Sequence, residues 1–70
     1  MFDDAGVMNF GTMALEMGHV TPAQLSKAVT IQVGEDLDGA PHRRIGEILL
    51  DLGYMDTTQI NEVLGALGKI

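Results

Sequence analysis

The chain is 70 residues long, 46% hydrophobic and 20% charged, with no cysteine. That allows one small domain, carries too much apolar matter for disorder, and offers neither disulfides nor thiolate metal sites to reinforce a modest core. Ten acidic residues against four basic ones give a net charge of −6, which opposes the phosphate contacts of DNA or RNA binding and gives no attraction to anionic membranes.

In chain order, "MFDDAGVM" (1–8) shows no clear apolar period. Either it is partly disordered, or Phe2 and Val7 pack over an open end of the core. Its acidic start is unlike a signal peptide, and no apolar run nears the roughly 18 residues of a spanning helix. The expectation is a soluble, cytoplasmic protein without membrane insertion.

Phe10, Met13, Ala14 and Met17 then fall at i, i+3, i+4 and i+7, which marks one face of a first helix. Gly18 stands where a helix takes a left-handed stop, and Val20 can fold back on the finished turn. Thr21 with Gln24 forms a capping box for a second helix, and Pro22 suits its first position. That helix carries Leu25, Ala28 and Val29, but its next core position is Gln32.

Residues 33–43, "VGEDLDGAPHR", mix Gly34, Gly39 and Pro41 with Glu35, Asp36 and Asp38 and read as a solvated connection. A third helix follows with Ile45, Ile48, Leu49 and Leu52, stopped at Gly53. Asp56 and Gln59 cap a fourth, which carries Ile60, Val63, Leu64 and Leu67.

The chain repeats itself. Shifted by 35 residues, 10–32 falls on 45–67: Gly11 on Gly46, Leu15 on Leu50, Gly18 on Gly53 and Gln24 on Gln59. Residues 9–32 form one unit and 44–68 the other, each a helix, a tight turn and a helix. One such hairpin cannot bury its apolar stripe alone, but two can bury theirs against each other. The expected fold is all-α: a compact four-helix domain, residues 9–70, built from two tandem helix-turn-helix repeats about an approximate twofold axis.

Catalysis finds little material. Ser26 is the only serine, and His19 and His42 are isolated, so no general-base constellation forms. His19 reads as a partly exposed turn residue, and His42 as a linker group that solubilises or assists anion binding. "EDLDG" lacks the spacing of a calcium loop. Met13, Met17 and Met55 fit core positions.

The features left over suit a planar, anionic ligand. Arg43 and Arg44 stand before a helix start, where guanidinium grips phosphate, stacks on a ring or forks onto a guanine edge; otherwise they are a solvated pair balancing nearby acids. Gly46 would let a ligand approach the backbone. Gln32, on an apolar face, needs a partner: a ligand's base edge or a backbone group at an interhelix turn.

Both units resemble the tandem motif of the MshEN domain, which lies at the N-terminus of type II secretion and type IV pilus assembly ATPases. That motif runs Arg-Leu-Gly, aliphatics, Gly, Leu, Leu and a final Gln. The second copy matches with Arg44, Ile45, Gly46, Gly53, Ile60 and Leu64, and has Leu67 at the Gln position. The first has Asn9, Phe10, Gly11, Gly18, Leu25, Val29 and Gln32, with Asn9 at the Arg position. Each copy thus departs at one polar position, and the spacer is longer than the family's. The resemblance covers residues 9 to 68.

It implies a helical regulatory domain, not an enzyme, that binds cyclic di-GMP through the Arg and Gln positions over an apolar bed. The ligand-contacting candidates are Asn9, Gly11, Gln32, Arg43, Arg44 and Gly46. Two readings follow: a free-standing domain binding cyclic di-GMP or a related nucleotide, or an interaction module, docking on a partner protein or on itself, that has lost the nucleotide. A shared fold alone does not assign a role in secretion.

Overall fold

A computed structural model describes residues 6–68, with side chains described from residue 9. Its elements are a π-helical turn Gly6–Gly11 running directly into α1 (Thr12–Glu16), then α2 (Pro22–Leu37), α3 (Ile45–Asp51) and α4 (Thr57–Gly68). The fold is all-α, with no strand among the described residues. Residues 6–8, expected in an N-terminal segment without a period, belong to the helical turn. Phe2 and Val7, expected over an end of the core, have side chains outside the described residues.

The helix ends repeat their hydrogen bonds at the 35-residue offset. In the first half, the Gly18 N–H donates to the Leu15 carbonyl and the His19 N–H to that of Ala14; in the second, Gly53 donates to Leu50 and Tyr54 to Leu49. Gly18 and Gly53 carry φ of 76° and 79°, so both helices stop on a glycine in the left-handed region. The Thr21 hydroxyl accepts from the Gln24 N–H and the Gln24 side chain from the Thr21 N–H; Asp56 and Gln59 make the same reciprocal pair.

The connection differs from its expected bounds. Residues 33–37 are not loop: α2 continues to Leu37. The stop is Gly39, φ 78°, whose N–H donates to the Asp36 carbonyl while the Ala40 N–H donates to Glu35. That bonding is the one seen at Gly18 and Gly53. Gly34 is tolerated inside the helix because Glu35 and Asp36, on its last turn, are held from the connection by Arg43 and His42.

The principal helix–helix contacts run between the halves, α2 against α3 and α1 against α4, with the π-helical turn against α3 and α4. The apolar faces of α1 and α2 are thus covered by α4 and α3. The core is Phe10, Ala14, Val20, Ala28, Ile45, Ile48, Leu49, Met55 and Val63. Other stripe positions, among them Met13, Leu25 and Ile60, are partly buried against it, but two are exposed. Met17, expected in the core, ends α1 at 37% exposure, and Leu64 on α4 is 52% exposed. A stripe wider than the surface opposite it leaves its outer members in solvent.

The glycines separate backbone strain from propensity. A Cβ at Gly53 would meet nothing within 4 Å, so Gly53→Val costs only the left-handed backbone, about 1–2 kcal/mol, and should lower Tm by at least about 4 °C. Gly65, inside α4 with equally open space and no positive φ, should behave oppositely. Gly65→Ala should raise Tm, because alanine is the better helix former. Thermal melts followed by circular dichroism check both signs.

Candidate functional site

An open cavity of about 650 Å³ lies along α3 and α4. Its size falls within the range of small-molecule sites. The apolar wall comes from Phe10, Ile45, Leu50, Ile60, Leu64 and Leu67, and the polar groups are Asn9, Arg44, Glu47, Thr57 and Asn61. Apart from Asn9 and Phe10, every lining residue belongs to the second sequence unit.

Local structure explains how the groove is presented. Arg44 is the N-cap of α3, with extended backbone (φ −72°, ψ 155°) and no side-chain capping bond. Three residues on, Glu47 lies in the first turn of α3. On α4, positions 57, 60, 61, 64 and 67 share one side, because three- and four-residue steps return to the same face. Neither the Arg44 nor the Glu47 side chain has a hydrogen-bond or ion-pair partner among the described residues.

The six candidates divide. Asn9, Arg44 and Gly46 line the groove; Gly11, Gln32 and Arg43 are not among its lining residues. Gln32, 1% exposed, donates from Nε2 to the Arg43 carbonyl at 2.9 Å. Of its two anticipated partners, the backbone group is present. Arg43 turns away to α2, donating from Nε to Glu35 Oε1 at 3.0 Å and from Nη2 to Oε2 at 2.5 Å, with Nη1 3.5 Å from Asp51 Oδ2. It is the ion-paired arginine; Arg44 is the open one.

The glycines serve packing as well. A Cβ on Gly46 would stand 3.0 Å from Phe10 Cζ, and one on Gly11 would stand 3.0 Å from Leu25 Cδ1. The space anticipated for a ligand beside Gly46 is taken by the Phe10 ring. Beside Gly11 it is filled by Leu25.

Both histidines fasten turns. His19 Nε2 lies 3.0 Å from Glu62 Oε2 on α4, and His42 Nδ1 lies 3.0 Å from Asp36 Oδ1 on α2. The carboxylates of "EDLDG" that face the connection are thus engaged by Arg43 and His42. Sequence reasoning had not singled out Glu47, Thr57 and Asn61. The signal available was helical spacing, with Glu47 at i+3 from Arg44 and Asn61 at i+4 from Thr57.

No protein-family profile matches this chain, and comparison with curated proteins and with solved structures gives no match.

Two outcomes follow from this geometry. Gln32→Ala leaves the Arg43 carbonyl without its buried donor, so it should cost about 1–3 kcal/mol in urea unfolding. The Arg43 hydrogen bonds, aided by the guanidinium's charge, hold Glu35 below its ordinary 4.5 against a push upward from partial burial. A depressed folded pKa contributes stability above the unfolded value and loses it as pH falls through the folded one. Wild type should therefore melt above Glu35→Gln at neutral pH, and the gap should close below pH 4.5. A gap constant with pH would contradict the ion pair.

Proposed function

We propose that this chain is a small regulatory module of the MshEN type, binding cyclic di-GMP or a related guanine nucleotide in the groove along α3 and α4. One observation carries the reading. The motif positions Arg44, Ile45, Gly46, Ile60 and Leu64, scattered through the second unit, converge on that groove, and the guanidinium of Arg44 has no partner among the described residues. A guanidinium beside apolar wall suits a ligand that is both anionic and planar, since it can grip phosphate, stack on a ring or fork onto the O6/N7 edge. The acidic balance of the chain argues against polymeric nucleic acid and leaves a single small nucleotide as the economical occupant.

A second reading is favoured by Leu50 and Leu64, 42% and 52% exposed along the same groove, and by Leu67 where the family motif has Gln. It makes the groove a docking surface for a partner protein or a second copy of the chain, with nucleotide binding lost.

Calorimetric titration with cyclic di-GMP distinguishes the two. The nucleotide reading expects micromolar binding, weakened at least about tenfold by Arg44→Ala, or about 1.4 kcal/mol. Absence of heat at high ligand concentration, from a protein that melts cooperatively, removes it. Sedimentation should then show self-association, or a pull-down a partner, if the second reading holds.

A further inference from the structure

We infer that Glu47 is the residue by which the groove selects guanine over adenine; this rests on the nucleotide reading above. Arg44 and Glu47 are the charged residues lining the groove. Arg44 caps the start of α3 and Glu47 lies in its first turn, and both border the same groove. Other charged groups nearby are engaged: Arg43 with Glu35 and Asp51, His42 with Asp36. Glu47 has no such partner among the described residues.

An unpaired carboxylate in a groove that takes an anion is a liability, because it repels the ligand's phosphate. It is favourable only where it meets hydrogen-bond donors. An ionised carboxylate accepts and cannot donate, whereas guanidinium donates and cannot accept. Guanine suits this pair: N1–H and the N2 amino group give two adjacent donors, matching the two carboxylate oxygens, and O6 and N7 accept on another edge. Adenine places a lone pair at N1, with a single donor beside it at N6. Glu47 facing that edge would trade one hydrogen bond for a lone-pair repulsion. Arg44 is then free to take a phosphate or the O6/N7 edge, and Phe10, Leu50 and Leu64 supply apolar surface for the ring.

Bidentate base recognition of this kind discriminates by about tenfold to a hundredfold. Glu47 is exposed, so Glu47→Gln keeps its size and should fold as the wild type does, which a thermal melt verifies. The test is calorimetric titration of wild type and Glu47→Gln with cyclic di-GMP and with cyclic di-AMP. Wild type is expected to prefer cyclic di-GMP at least about tenfold, and Glu47→Gln to lose most of that preference, weakening cyclic di-GMP while cyclic di-AMP holds or tightens, because an amide can donate to adenine N1 and accept from N6. Equal wild-type affinities, an unchanged preference in Glu47→Gln, or equal weakening or tightening of both ligands overturns the role of Glu47 and leaves nucleotide binding standing. Binding of neither ligand by wild type overturns the nucleotide reading and this inference together.

Discussion

The arrangement of the second half depends on one hydrogen bond, from the Gln32 side chain to the carbonyl of Arg43. Gln32 is the buried polar residue of the described core, and a primary amide there is favourable only with a partner. The bond ties the middle of α2 to the backbone immediately before α3. Extended backbone sends successive side chains to opposite sides. With Arg43 drawn onto Glu35 of α2, Arg44 must turn the other way, towards the groove. The contrast between two neighbouring arginines thus begins in a glutamine eleven residues upstream.

Glycine serves the structure in two distinct ways. Gly18, Gly39 and Gly53 adopt positive φ and stop three helices with the same bonding pattern. Gly11 and Gly46 sit inside helical segments, where the missing Cβ admits Leu25 and the Phe10 ring respectively. Phe10 is therefore both a core residue and part of the groove wall, so the π-helical turn that carries it joins core packing to the shape of the candidate site.

Local signals were the legible ones. The glycine stops and the Thr21 and Asp56 capping boxes depend on residues within a few positions of each other, and sequence reasoning placed them where the hydrogen bonds now stand. The last turns of α2 were missed because Gly34 and the acids around it weaken helix propensity locally. What retains them is long-range: Arg43 on Glu35 and His42 on Asp36, reached only after the chain has reversed. The exposure of Met17 and Leu64 was illegible for a related reason. A period identifies a face, but the width of that face in contact is set by the element packed against it. In the groove, Arg44 and Asn9 stood out as equivalent positions of the repeat. Glu47 looked like an ordinary helix-surface charge until the fold set it beside Leu50 and Leu64.

The two copies of the sequence motif have divided the work. The space beside the repeated glycine is filled in both, by Leu25 at Gly11 and by Phe10 at Gly46. In the first, the polar position, Gln32, is committed to the Arg43 carbonyl, which fixes that half to the connection. In the second, Leu67 stands where the first has Gln32, so no corresponding amide bonds α4 to backbone, and the α4 face between Ile60 and Leu67 lies along the open groove. A repeat whose members were equivalent would close both faces or open both. Here both copies supply the core, the first bonds its polar position to the backbone, and the second lines the groove. A ligand, if it follows the asymmetry of the charges, engages one face of the molecule only.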